Sequence, residues 1–133
     1  MRLGGFDLVL SPGSMIADLC GGAERIRLRF RHRYEVDPQF IPALEKKGLV
    51  FSGRSPDHPI MQVLELPRDR HPFFLATQAH PELTSRPLRP QPMFIGLVRA
   101  ALAQTGVSPE SLHEPPSRGL SPSDSLGATT AQT

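Results

Sequence analysis

Only one cysteine, Cys20, stands in the 133 residues of the chain. A lone thiol excludes an internal disulfide and any multi-cysteine zinc site, and such sparing use fits a reducing compartment. No apolar run approaches the roughly 20 residues of a membrane span, and Met1-Arg2 is not followed by a signal-peptide core. A soluble, cytoplasmic protein without a membrane partner is therefore expected. His58, His71 and His113 fall in turns or in the C-terminal segment and form no metal-ligand spacing. Neither "GGFDLVL" nor "CGGAER" fits the Gly-x-x-x-x-Gly-Lys-Ser/Thr pattern of a phosphate-cradling loop, and no carboxylate cluster offers itself to Mg²⁺. The formal net charge is only +2, spread over scattered arginines, so composition does not demand a nucleic-acid partner. Large apolar groups are also scarce from Val107 to Thr133, where Ser, Pro, Gly, Thr and Ala dominate. Such a segment cannot bury enough surface to order itself. The expected division is a folded portion over residues 1–105 and a disordered Ser/Pro-rich tail over 106–133.

Within the folded portion, strands and helices alternate. Phe6 to Leu10 reads as a strand, stopped by Ser11-Pro12-Gly13. Ser14 then caps a short helix, Met15 to Cys20, that ends at Gly21-Gly22. From Arg25 to Val36 the alternation is strict: Ile26, Leu28, Phe30, His32, Tyr34 and Val36 share one face and Arg25, Arg27, Arg29, Arg31, Arg33 and Glu35 the other. Period two over that length predicts a strand. Asp37-Pro38 is an N-cap and first-turn pair for a helix carrying Phe40, Ile41 and Leu44 and closed by Gly48, with Pro42 making it short or kinked. Three more strands are expected at Leu49–Gly53, Ile60–Leu66 and Pro72–Gln78, separated by turn-rich segments. Pro92 to Ala103 carries Phe94, Leu97, Val98, Ala101 and Leu102 at helical spacing. No internal repeat is visible, and the order suggests an α/β architecture with too few parallel strands for a complete sheet.

The triplet His80-Pro81-Glu82 follows the last strand. Pro81 fixes its own φ and disfavours a helical His80, so His80 and Glu82 project to one side within reach of each other. A carboxylate bonded to one ring nitrogen leaves the other facing outward as a base, the base-and-orienter half of a nucleophilic triad. His-x-Glu also arises by chance at strand ends, and three residues alone do not decide between the two readings. The arginine-rich strand has a nucleic-acid reading as well. Phe30 and Tyr34, its nearby stacking groups, belong to the opposite face, so a solvated or partner-facing strand is the stronger reading. His32, on the apolar face, reads as a hydrogen-bonded packing residue. "SRPLRPQP" reads as a stiff loop able to brace His80, or as a proline-rich ligand for a partner domain.

The runs "MRLG" at 1–4, "RHRYEV" at 31–36, "GLVFSGRSPD" at 48–57, "HPFFLATQAHPELTSRPLRP" at 71–90 and the following "PMFIGLVRAAL" resemble, in order and spacing, the C-terminal end of the CTP synthase family. The resemblance covers about residues 1 to 103. It implies part of a class I glutaminase domain of flavodoxin-like fold. There a cysteine attacks the side-chain amide of L-glutamine, and the released ammonia aminates UTP to CTP in an ATP- and Mg²⁺-dependent synthase domain of a homo-oligomeric enzyme. It further implies that His80 is the base, that Glu82 orients it, and that Arg33 contacts the bound glutamine.

Three departures accompany the resemblance. The Gly-x-Cys-x-Gly elbow that would carry the nucleophile is missing, and Cys20 in "ADLCGG" stands at a helix C-terminus, where the dipole raises a thiol's pKa. The synthase domain is absent, so no cofactor is expected on this segment itself. Phe30 stands where the family commonly has His. The expectation is a truncated or split product whose missing N-terminal synthase and glutaminase portions carry the nucleophile and the nucleotide sites. The alternative is a non-catalytic interaction module or relic of a glutaminase domain.

Overall fold

The computed structural model describes residues 1–106. Of the tail read as disordered, all but Gly106, including His113, lies outside the described residues. The described residues form five strands, β1 (Arg2–Leu10), β2 (Arg25–His32), β3 (Val50–Arg54), β4 (Met61–Glu65) and β5 (Leu75–Thr77), and three helices, α1 (Met15–Leu19), α2 (Ile41–Glu45) and α3 (Pro92–Thr105). Single 3₁₀ turns precede α2 at Pro38–Phe40 and follow β5 at Pro81–Leu83. The strands make one sheet in the order β2-β1-β3-β4-β5, and all its pairings are antiparallel.

β1 and β2 form its long ribbon, in register from Arg2↔His32 to Val9↔Arg25. Directly opposed residues share a face, so Phe6, Leu8, Ile26, Leu28 and Phe30 gather on one side. The arginines at 25, 27, 29 and 31 gather on the other and are exposed. Leu8, Leu10, Leu28, Phe30 and Val63 join Ile16 and Ala17 of α1, Ala79 and Met93 of α3 to make the core. α1 is capped as its sequence predicts, with Ser14 Oγ accepting from Ala17 N at 3.3 Å. A second anchor is long-range: the buried Glu65 carboxylate of β4 accepts from Met15 N at 2.7 Å and Ile16 N at 3.3 Å. It meets the first-turn amides that have no partner within the helix. α3 crosses α1 where Gly96 lies against Leu19 and Phe73.

Several boundaries differ from the sequence reading. β1 starts at Arg2 instead of Phe6, because β2 offers hydrogen-bonding partners over its whole length and Gly4, at φ 105°, takes a backbone conformation costly for other residues. β2 stops at His32, four residues short of Val36. There Glu35 folds back and its Oε1 accepts from His32 Nε2 at 2.9 Å, which carries Arg33 to Val36 out of the ladder. The helix after Asp37 is broken into a 3₁₀ turn and a short α2 with Pro42 in its first turn, as the prolines require. β5 shrinks to Leu75–Thr77 since Pro72 has no amide to give and Phe73 N is taken by His71 Nδ1 at 3.1 Å.

Candidate functional site

His80 sits where β5 has run out and the chain crosses to the outer edge of β2. Its backbone N–H donates to Arg29 O at 2.8 Å, which fixes the residue against the sheet. With φ −113° and ψ 80° it lies outside the helical region, and Pro81 begins the 3₁₀ turn immediately after. That turn brings Glu82 round to the imidazole: His80 Nδ1 lies 2.7 Å from Glu82 Oε1. The bond to His80, helped by the residue's own backbone N–H, holds the Glu82 carboxyl below its ordinary pKa. An ionised carboxylate only accepts, so the pair requires hydrogen on Nδ1 and leaves the Nε2 lone pair available. Nε2 makes no hydrogen bond to any described residue.

The turn is braced from behind. Thr84 Oγ1 donates to Pro81 O at 3.3 Å and receives Gln91 Nε2 at 2.7 Å, while Gln91 N donates to Ser85 Oγ at 3.2 Å. The stretch "SRPLRPQP" therefore folds back onto the turn that carries Glu82. Such support matters because a base must be held to within a fraction of an ångström of its working position.

Arg33 lies just beyond β2 and is exposed. It borders a hollow of about 250 Å³ together with Met1, Arg2, Phe6 and Glu35. The segments carrying Arg33 and His80 run side by side, as Gln78 Nε2 donates to Tyr34 O at 3.3 Å. No hydrogen bond joins Arg33 itself to His80 or Glu82. The bend that presents Arg33 is fixed by a polar cluster the sequence reading missed. Glu35 Oε1 accepts from Arg2 Nε at 2.8 Å, His32 Nε2 at 2.9 Å and Gln62 Nε2 at 3.3 Å. Burial pushes the Glu35 carboxyl up, but the bonds from Arg2 and His32 outweigh it and leave the group below its ordinary range. The His32/Glu35 spacing was visible in the sequence; Arg2 and Gln62 come from distant strands and had no local signal.

Cys20 closes α1 and is half-buried, and that burial pushes its thiol up. It faces a cleft whose walls include neither His80 nor Glu82. Among the described residues no group of three or more His, Cys, Asp or Glu side chains stands together as metal ligands. The described residues therefore offer no donor set that fits the Mg²⁺ the resemblance implies. No helix among the described residues is long and apolar enough to cross a membrane.

Comparison with known proteins matches residues 9–100 to the family described as glutamine amidotransferase class-I. CTP synthase of Thermobifida fusca is 52% identical over 111 residues, which are 81% of this chain and 20% of that protein. CTP synthase of Saccharopolyspora erythraea is 55% identical over 102 residues, 77% of this chain and 18% of that protein. Among solved structures, the glutaminase domain of Trypanosoma brucei CTPS with bound acivicin superposes with a TM-score of 0.70 at 31% identity, covering 77% of this chain and 40% of that one. The chain thus spans about a fifth of the length of the curated relatives it matches.

Proposed function

Because this chain belongs to the class-I glutamine amidotransferase family, we propose that it supplies the base half of a glutaminase site serving CTP synthesis, with the nucleophile brought by further polypeptide. In this reading His80 Nε2 takes the proton from a cysteine thiol as the sulfur attacks the side-chain amide carbon of L-glutamine. The same nitrogen then delivers that proton to the departing ammonia, leaving a thioester for water to cleave. Glu82 keeps hydrogen on Nδ1 and stabilises the imidazolium that forms between the two transfers. Arg33 holds the amino-acid end of glutamine through its guanidinium. The ammonia would go to amination of UTP to CTP, with ATP and Mg²⁺ handled by the remainder of a CTP synthase. The observation that carries the reading is the 2.7 Å contact between His80 Nδ1 and Glu82 Oε1, with Nε2 bonded to no described residue.

Cys20 is the only thiol in the sequence, and its raised pKa, its position at a helix end and its separate cleft make it a poor nucleophile. The chain alone is therefore expected to hydrolyse no glutamine. The decisive experiment mixes it with a recombinant segment of a related CTP synthase that carries the cysteine elbow, and follows ammonia release. Activity in the mixture, falling by about 10²–10⁴-fold in His80→Ala, supports the proposal. Undiminished activity in His80→Ala overturns it. Inactivity of every mixture, with binding retained, favours a non-catalytic interaction module instead.

A further inference from the structure

A cleft of about 740 Å³ opens between the end of α1, β2 and the segment from Thr84 to Met93. That volume lies in the range of small-molecule sites. Its wall contains three arginines, Arg27, Arg86 and Arg89, and no Asp or Glu. Arg27 is already neutralised, its guanidinium lying 2.8 Å from Asp7 Oδ1. Arg86 Nη1 donates to the carbonyls of Ser85 and Leu83, at 2.6 and 3.4 Å. Arg89 makes no ion pair with any described residue.

The two unneutralised cations are placed side by side by the backbone. Arg86 and Arg89 are partners in an antiparallel bridge, with N–H···O bonds of 3.2 and 3.0 Å running both ways. Directly opposed residues project to the same side, and like charges in that position repel. The turn cannot easily relax to separate them: prolines flank both arginines and Gln91 ties the strand end to Thr84 and Ser85. Two forked donors carried on a constrained backbone, with no carboxylate in the cleft wall to balance them, are chemically matched to an oxyanion.

We propose that this cleft is a binding site, distinct from the His80–Glu82 pair, for a small molecule whose phosphate or carboxylate group seats on Arg86 and Arg89 beside Cys20. The test is direct titration of the chain with inorganic phosphate and, separately, with acetate at about 0.15 M ionic strength, where non-specific surface attraction is screened. Saturable binding is expected for at least one anion, and whichever binds identifies the group the cleft accepts. Arg89→Ala should weaken it about tenfold or more, the loss of one charge-assisted bonding partner. Arg25→Ala, on the same face of β2 but outside the cleft, should leave it unchanged. Because Cys20 is the only thiol, its alkylation by a neutral reagent gives a second readout on the unmodified chain, expected to slow at saturating anion. Absence of saturable binding by both anions overturns the proposal. So does an equal loss in Arg25→Ala and Arg89→Ala, or an alkylation rate that neither anion changes.

Discussion

The contact between His80 and Glu82 fixes a tautomer before it fixes a mechanism. In the neutral ring Nδ1 should carry the hydrogen, and long-range ¹H–¹⁵N correlation reports this on the chain by itself. In Glu82→Ala the population should move toward Nε2–H; an unchanged tautomer would mean that the 2.7 Å contact does not govern the ring. Glu35 is the other residue whose charge organises its surroundings. Replacing it with Ala strands the donors of Arg2, His32 and Gln62, and should cost about 1–3 kcal/mol in urea unfolding. Its carboxyl is held below the roughly 4.3 of an unfolded chain. The stabilisation it brings is therefore complete above that value and lost as pH falls through the lower folded pKa. The difference in stability between the wild type and Glu35→Gln should accordingly shrink below about pH 4. The His80–Glu82 pairing was legible because two residues flank a proline whose geometry is local. The Glu35 cluster was legible only in its His32/Glu35 spacing, since Arg2 and Gln62 reach it from β1 and β4 once the sheet has assembled.

Elements were read more securely than their ends. The alternation of β2 and the Ser14 cap of α1 are set by neighbouring residues, and both are found where the sequence places them, though β2 is shorter. The limits of β1 and β5 depend on which strand lies alongside, which no local pattern encodes. Two glycines show how far packing reaches into element choice. Gly96 lies inside α3, where Ala ordinarily gains about 1 kcal/mol. A Cβ there would come within 2.6 Å of Leu19 Cδ2 and 2.8 Å of Phe73 Cε2. Relieving that overlap costs about 1–3 kcal/mol, so Gly96→Ala should lower stability in spite of its propensity. Gly53 in β3 has neighbours less able to move, because its Cβ would lie 2.7 Å from Val63 Cγ2 and 2.9 Å from Val63 Cβ, the second being fixed to the β4 backbone. Gly53→Ala should lose more than Gly96→Ala, by urea midpoint; the reverse order would show that β3 and β4 separate more readily than α1 and α3.

At the scale of the whole molecule, the chain folds around one core yet leaves apolar surface in ordered arrays. Met93 and Gly96 of α3 are buried, but Phe94, Leu97 and Val98 form a neighbouring stripe at helical spacing, with Leu97 51% and Val98 56% exposed. A contiguous apolar stripe on a helix is a surface for another chain or a cause of self-association. The solved glutaminase domain that this chain resembles contains considerably more polypeptide than the portion matched. The isolated chain is therefore expected to self-associate at tens of micromolar, roughly the range in which unpaired apolar surface drives aggregation, and light scattering coupled to size exclusion measures it. Leu97→Glu with Val98→Lys should restore the monomer while changing stability by no more than about 0.5 kcal/mol per site, because both side chains already face water. Two results would decide against α3 as the sticky face. One is a wild type that stays monomeric throughout that range; the other is a double variant that associates as strongly as its parent.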